Sequence, residues 1–277
     1  MLAPNNALLA DVGERARAAA PAVEILSADK VFPNGTRALA AIDLSIAAGE
    51  FLTLIGPSGC GKSTLLKLVA NLIEPTEGRI LWWSGAFDKT GTGGRSIAFV
   101  FQDPTLMPWA RVEANVRLPL DLARMPAAEC RQRVADALAR VGLEGFARYY
   151  PRQLSGGMKM RVSIARSLVI EPNLLLMDEP FGALDEFTRN RLDADLVRLW
   201  WDRKLTTVFV THSIYEAVFL STRVIVMGAQ PGRISKVMSI DEPHPRDESF
   251  RNSARFAEHC RALSALLTEV SVEHMRS

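Results

Sequence analysis

The stretch that decides the fold is Gly56-Pro57-Ser58-Gly59-Cys60-Gly61-Lys62-Ser63-Thr64. An apolar run at residues 51–55 leads into it, and a helix-like run at residues 65–70 leads out of it. A Gly-x-x-x-x-Gly-Lys-Ser/Thr pattern between a strand and a helix is typical of a phosphate-binding loop. Its backbone N–H groups and the following helix N-terminus can surround an anion. We therefore predict that Lys62 reaches the β- and γ-phosphates of a nucleotide and that Ser63 binds Mg²⁺.

Composition and charge place the chain among ordinary globular proteins. Its 277 residues are 48% hydrophobic and 23% charged, with a formal net charge of +2. That charge is too small to indicate nucleic acid, and we predict no nucleic-acid partner. Cys60, Cys130 and Cys260 lack the spacing of a metal site or a disulfide framework, which fits a reducing cytosol. No apolar run is long enough to span a membrane, so a membrane role would need a partner protein.

Strand patterns and one proline-rich, helical stretch surround the phosphate loop. Strand-like runs cover residues 23–26 and 41–46, and Asn34-Gly35 between them is a hairpin signal. Within residues 104–152, prolines cluster at Pro104, Pro108, Pro119 and Pro126, and helical periodicity follows, which predicts a helical insertion between two parts of an α/β core. Buried strands are predicted at 174–177 and 206–210, a charged helix at 186–203, and a helix with an apolar stripe at 249–270.

Polar side chains follow three of the apolar strands at the points where the strands end. Asp178 and Glu179 follow one strand, His212 follows another, and Gln102 follows the strand at 97–101. The carboxyl ends of parallel strands share one sheet edge with the phosphate loop, so we expect these groups to converge on one nucleotide. Asp178 is suited to hold Mg²⁺ and Glu179 to orient and polarise water. Taken alone, the two carboxylates also fit a solvated acidic turn.

The other two groups have similar alternatives. His212 can donate to a γ-phosphate oxygen, although a lone histidine after a strand is more often packed or capping. The Gln102 amide can bind Mg²⁺ or the attacking water. Ser155-Gly156-Gly157 opens a helix and forms a second anion-binding element. Because one phosphate loop already satisfies the nucleotide, we predict a two-fold dimer in which this element closes over the γ-phosphate of the partner subunit.

Taken together, these motifs resemble the nucleotide-binding subunit of an ABC transporter, from about Val23 to Met238. The resemblance implies ATP and Mg²⁺ as cofactors and ATP hydrolysis as the activity. It implies that Phe32 stacks on adenine, whereas its residue type alone favours core packing. Met158 departs from the glutamine of many members, but the backbone amides and Ser155 carry the phosphate contact.

The resemblance assigns roles to individual positions of this chain. The nucleotide-binding residues it implies are Phe32, Gly56, Pro57, Ser58, Gly59, Cys60, Gly61, Lys62, Ser63, Thr64, Ser155, Gly156, Gly157 and Asp185. The catalytic residues it implies are Glu179, His212 and Gln102, and the Mg²⁺ ligands are Ser63, Gln102 and Asp178.

The fold expected on this basis is an α/β, RecA-like P-loop NTPase core with an antiparallel β subdomain and a helical insertion subdomain. Residues 1–21 are predicted to be a mobile tail, 22–245 the ABC ATPase domain and 246–277 a C-terminal helical extension. The helical subdomain is expected at about 104–165.

A narrower resemblance suggests the kind of transporter. Residues 101–109 and 178–185 are similar to those of importers of the nitrate, sulfonate and taurine group. This implies a homodimer, or a paired ATPase subunit, acting on membrane permease subunits and indirectly on a periplasmic or extracellular solute-binding protein. Its place would be peripheral, on the cytoplasmic face of the inner membrane. An ABC exporter ATPase and a soluble, non-transport ABC ATPase are the alternatives.

The segment after Gln102 carries Leu106, Met107 and Trp109 in an irregular, proline-rich stretch. These side chains either pack under the helical insertion or line a groove for a short helix of the permease.

Overall fold

The computed structural model describes residues 21–83, 96–228 and 230–276. The predicted tail, residues 1–21, lies outside the described residues except for Pro21, which begins the first strand. None of the helices within the described ranges is long and apolar enough to cross a membrane.

A six-stranded sheet forms the centre of the fold. Its strands are β3 (Phe51–Ile55), β5 (Ile97–Val100), β6 (Leu174–Asp178), β7 (Thr206–Val210), β8 (Arg223–Gly228) and β9 (Arg233–Ser239), in the order β5-β6-β7-β3-β8-β9. All pairs are parallel except β8 with β9. β3 and β7 are buried throughout, as expected for apolar strands covered by helices on both faces. The predicted P-loop α/β core is confirmed.

A second, antiparallel sheet packs beside the first. It contains β1 (Pro21–Val31), β2 (Arg37–Ala47) and β4 (Glu77–Trp82), in the order β2-β1-β4. The predicted turn at Asn34-Gly35 joins β1 to β2, and Gly35 there has a φ of 83°. Gly232 joins the two sheets, because its N–H donates to Ala38 and its carbonyl accepts from Ala40, both at 3.0 Å.

Several of the helices begin at a capping residue. They are α1 (Lys62–Val69), α2 (Val112–Leu122), α3 (Ala127–Arg140), α4 (Gly156–Leu168), α5 (Glu186–Arg203), α6 (Ile214–Leu220), α7 (Glu248–Arg251) and α8 (Ala254–Arg276). Ser155, Asp185 and Ser213 each accept a hydrogen bond from the first turn of α4, α5 and α6 respectively. The predicted helix at 186–203 has these same bounds.

Pro119 lies inside α2, because the apolar face made by Val112, Val116 and Leu120 is fully buried and its packing outweighs the lost backbone hydrogen bond. One predicted helix needs correction. The single helix expected at 249–270 is two helices, since the Ser253 hydroxyl accepts from the Phe256 N–H and starts α8 anew.

The C-terminal helices are fixed to the core by buried guanidinium groups. Arg246, 3% exposed, donates to carbonyl oxygens of Val218, Phe219 and Ser221 at the end of α6. Arg251 of α7 pairs with Asp193 of α5, with 2.6 Å between nitrogen and oxygen, and its guanidinium carbon lies 3.8 Å from the centre of the Phe219 ring. Burial raises the pKa of Asp193 to about 7, with the Glu216 charge adding to the rise and Arg251 opposing it.

Arg251→Met should destabilise the protein by about 3–5 kcal/mol, because it leaves the fully buried Asp193 carboxylate without its counter-ion. In the folded state Asp193 keeps its proton at pH values at which the unfolded chain has already released it. The free energy of unfolding therefore falls as pH rises toward 7. Removing Arg251 should raise the pKa of Asp193 further, so that the free energy of unfolding continues to fall at higher pH. Urea unfolding should therefore show a larger loss at pH 8 than at pH 5.

Arg255→Met is the matched control for this prediction. Arg255 pairs with Glu242 at 3.3 Å, but its side chain is 72% exposed. Such a pair contributes about 0–1 kcal/mol. Equal destabilisation by the two substitutions would contradict a specific role for the buried Arg251–Asp193 pair.

Candidate active site

The phosphate loop turns between β3 and α1 through backbone that needs glycine. Gly61 caps α1 with a φ of 90°, in the left-handed region. A Cβ there would lie 2.6 Å from Leu39 Cδ2 and 2.8 Å from the Ala38 carbonyl oxygen. The loop is therefore packed directly against β2, and any side chain at position 61 would force the two apart.

Lys62 lies at the centre of this loop. Its ammonium group donates to the carbonyl oxygens of Gly56 at 2.8 Å and Pro57 at 2.9 Å, and the side chain is buried. The Cys60 thiol lies 3.8 Å from the same nitrogen. Burial raises the pKa of Cys60, which keeps the thiol neutral despite the neighbouring cation. The loop thus holds one fixed positive charge, as an anion-binding cradle requires.

A cavity of about 650 Å³ opens over the loop. Its lining includes Ser58, Gly59, Gly61, Lys62, Ser63, Thr64 and Glu179 from the predicted site, and also Thr36, Arg37, Ala38, Gln230 and Pro231. Sequence reasoning missed the second group, which comes from the start of β2 and the β8–β9 turn. The packing of two sheets brings them there, and no local pattern marks them.

Ser63 and Asp178 meet on the sheet side of the loop. The Ser63 hydroxyl donates to Asp178 Oδ1 at 3.0 Å, although 115 residues separate them in the chain. Burial raises the pKa of Asp178, and the neighbouring Glu179 charge raises it further. The Ser63 hydroxyl and the Asp178 carboxylate are hard oxygen ligands. A divalent cation would bind both and would stabilise the charge of the buried carboxylate.

Glu179 and His212 form a second pair at the same sheet edge. His212 Nδ1 lies 3.3 Å from Glu179 Oε2. Glu179 has a φ of 46°, rare for a residue with a side chain, and its N–H donates to the Val210 carbonyl at 3.0 Å. The side chains of Glu179 and His212 are 25% and 61% exposed, so both are accessible from solvent, and Glu179 also lines the cavity.

The remaining predicted residues do not line this cavity in the described part of the chain. Phe32 is half-buried at the β1–β2 turn, four residues before Thr36, which does line it. Gln102 is exposed just beyond β5. Ser155, Gly156, Gly157 and Asp185 form a separate group at the N-termini of α4 and α5.

The family model described as ABC transporter matches residues 39–182, more than half of the chain. The chain belongs to the ABC transporter family, as an ATP-binding subunit. ABC ATP-binding proteins hydrolyse ATP, and this chain is accordingly an ATPase.

The chain is similar to several named ABC proteins. It is 45% identical to an uncharacterised ABC transporter ATP-binding protein of Methanocaldococcus jannaschii, over 88% of this chain and 89% of that protein. It is 46% identical to the aliphatic sulfonates import ATP-binding protein SsuB of Bacillus licheniformis, over 80% of this chain and 86% of that protein. These similarities confirm the predicted family and its sulfonate-type group.

Solved ABC structures share the fold. The dimeric ATP-binding cassette MJ0796 bound to ADP and Pi has a TM-score of 0.69 and 34% identity, covering 79% of this chain and 98% of that one. The CbiO1 subunit from Clostridium perfringens has a TM-score of 0.73 and 30% identity, covering 88% of this chain and 99% of that one.

In this ABC subunit, the N-terminus of α4 packs tightly on α5. A Cβ on Gly157 would lie 2.8 Å from Thr188 Cγ2, so position 157 has no room for a side chain unless Thr188 moves. Asp185 Oδ1 accepts from the Thr188 N–H at 2.9 Å. The Ser155 element and Asp185 therefore lie side by side through Thr188, and none of these residues lines the phosphate-loop cavity of the same subunit.

Proposed function

We propose that this chain is the ATP-hydrolysing subunit of an ABC importer, acting as a homodimer on separate membrane permease subunits. It would lie on the cytoplasmic face of the inner membrane, and its solute would be a small molecule such as nitrate, a sulfonate or taurine, delivered by a solute-binding protein. Similarity to sulfonate-import ATP-binding proteins over most of the chain supports this. The observation that carries it is the exposed Trp109, described below.

The proposed dimer places each nucleotide between two subunits. The loop residues Ser58 to Thr64, including the Lys62 ammonium, would hold the phosphates from one side. Phe32, in the β1–β2 hairpin, would stack on the adenine. The Ser155-Gly156-Gly157 amides and Asp185 of the other copy would close over the γ-phosphate. The separation of this surface from the cavity of its own chain supports the arrangement, because a second copy brings the two together.

The proposed chemistry uses the two side-chain pairs at the sheet edge. Ser63 and Asp178 would hold Mg²⁺, with Gln102 as a further ligand, and the bound cation neutralises phosphate charge. Glu179 would orient the attacking water and accept its proton. His212, 3.3 Å from Glu179, would fix that carboxylate and donate to the γ-phosphate.

The segment after Gln102 supports a permease-docking role, since it is held rigidly yet exposes an aromatic ring. Asn115, fully buried, binds the Met107 N–H at 2.8 Å and the carbonyls of Met107 and Ala110. Arg166 of α4 donates to the carbonyls of Pro104 and Thr105. Trp109 is nevertheless 76% exposed, so core packing does not account for it.

This geometry distinguishes the three apolar side chains. Leu106 packs against the core, Met107 is half-buried and Trp109 projects into solvent. An exposed tryptophan on a preorganised segment is a suitable anchor for an amphipathic helix. Arg166 also ties this segment to α4, whose N-terminus is the Ser155 element. A movement of that element on ATP binding would therefore reach the docking segment.

Trp109→Glu should abolish transport and co-purification with the permease, because it removes the apolar anchor and adds a charge that docking would bury. ATP binding and the basal ATPase rate of the isolated subunit should stay near normal. The measurement is affinity purification from detergent-solubilised membranes after co-expression with the permease subunits of its own transporter.

Leu122→Glu is the matched control. Leu122 is also 76% exposed, but it ends α2, about 15 Å along the helix from Val112. It should leave the complex intact. A Trp109→Glu subunit that still co-purifies and transports would refute the docking assignment.

A further inference from the structure

The two groups proposed to act on water come from separate segments. Glu179 begins the segment 179–185 that leads from β6 into α5, and His212 lies between β7 and α6. Both segments leave the sheet edge as irregular backbone. The 3.3 Å separation of the Glu179 and His212 side chains therefore depends on whatever holds these segments together.

Arg189, on the first turns of α5, holds the first of these segments. Its Nη2 donates to the Leu184 carbonyl at 2.8 Å and its Nε to the Phe181 carbonyl at 3.4 Å. Both carbonyls lie between Glu179 and Asp185. Arg189 thus fixes the backbone that follows the catalytic carboxylate and leads to the predicted dimer contact.

Glu216, on the first turn of α6, holds the second segment. Its Oε2 accepts a hydrogen bond from the Thr211 hydroxyl, and that hydroxyl accepts from the Ser213 N–H at 2.9 Å. Thr211 and Ser213 flank His212 directly. The backbone on both sides of the histidine is therefore fixed by the Glu216 carboxylate.

Arg189 and Glu216 also contact each other in the protein interior. Arg189 Nε lies 3.4 Å from Glu216 Oε1, and the Glu216 side chain is only 6% exposed. Burial raises the pKa of Glu216, while Thr211 and Arg189 act against the rise. A buried ion pair of this kind adds little net stability over an apolar pair, and fixing one arrangement is its better-supported use.

We propose that Arg189 and Glu216 are positioning residues for ATP hydrolysis, which hold the Glu179 and His212 segments at a fixed separation. This rests on the proposed roles of Glu179 and His212. Neither residue lines the phosphate-loop cavity, so neither needs to touch the nucleotide. A misplacement of about 1 Å at a catalytic group can lower a rate about 100-fold.

Arg189→Gln should therefore lower kcat about 10- to 100-fold while the Kd for ATP stays close to wild type. Its thermal unfolding midpoint should also fall, because the buried Glu216 carboxylate loses its counter-ion, so the rates are measured well below that midpoint. Arg189→Lys should restore part of the rate, since an ammonium can hold one carbonyl or the carboxylate but cannot span both segments as a planar guanidinium does. Arg191→Gln, on the exposed side of the same helix, removes the same charge and should leave kcat unchanged.

A double-substitution experiment separates positioning from a general structural role. If Arg189 acts through Glu179, adding Arg189→Gln to Glu179→Gln should lower the residual rate no further, and the double variant should still form an ATP-dependent dimer. If Arg189 only supports the fold, its effect on the rate should be the same in both backgrounds. That outcome, or loss of the fold in both Arg189→Gln and Arg189→Lys, would overturn the proposal.

The outcomes also distinguish this proposal from the function on which it rests. A normal rate in Glu179→Gln alone would remove the assigned role of Glu179. A slow Glu179→Gln together with normal rates in both Arg189 variants would leave that role standing and remove only the positioning role of Arg189.

Discussion

Replacing Glu179 with Gln should slow ATP hydrolysis about 100- to 10,000-fold while leaving ATP binding close to normal. The amide keeps the size of the carboxylate but cannot accept the proton of an attacking water. Glu179 lines the same cavity as Lys62 and Ser63, but its side chain pairs with His212 and not with the loop. The substitution should therefore spare the contacts of the loop with the phosphates. Single-turnover hydrolysis and equilibrium nucleotide binding measure the two effects separately.

The same variant should accumulate as a dimer in the presence of MgATP. Nucleotide bound between two copies stabilises the dimer by mass action, and slow hydrolysis prevents its release. Size exclusion at saturating MgATP should show the doubled mass, and nucleotide-free protein should not. Glu258→Gln, an exposed position on α8, is the control and should behave as wild type. A Glu179→Gln subunit that binds ATP but stays monomeric would contradict the shared site.

The parts of this fold that sequence reasoning predicted well are those with strong local signals. The phosphate loop fixes the register of β3 and α1, because its glycines and lysine are useful only between a strand and a helix. The apolar runs of β6 and β7 are typical of parallel strands covered on both faces. They therefore predict that Asp178 and His212, which follow these strands, lie at the same edge of the sheet. The charged run at 186–203 likewise predicted the bounds of α5, which Asp185 caps.

The parts that it did not predict depend on contacts between distant segments. Thr36 and Gln230 reach the cavity because two sheets pack together around Gly232, which no local pattern reveals. Arg189 lies in an ordinary charged helix, and its partners become apparent only when α6 is placed beside it. The helix around Pro119 was not predicted, because the proline disfavours it locally and only the buried helical face stabilises it.

Replacing Lys62 with Ala should weaken ATP binding roughly 10- to 150-fold, the equivalent of about 1.5–3 kcal/mol for a hydrogen bond to a charged group. Turnover should fall further, since the ammonium also offsets charge that develops as the γ-phosphate is transferred. The structure supports a large effect because this ammonium is held by the Gly56 and Pro57 carbonyls at the centre of the loop. Isothermal titration with ATP and a phosphate-release assay provide the two measurements.

Lys67→Ala tests whether the effect belongs to position 62 or to any lysine of α1. Lys67 lies on the exposed face of that helix, so its removal takes away the same charge without opening the loop. ATP affinity should then stay near wild type, because an exposed charge is screened by solvent and salt. Alanine at position 62 also leaves the Gly56 and Pro57 carbonyls facing bound phosphate without the cation between them. A Lys62→Ala subunit that binds and hydrolyses ATP at the wild-type level would therefore rule out this loop as the phosphate site.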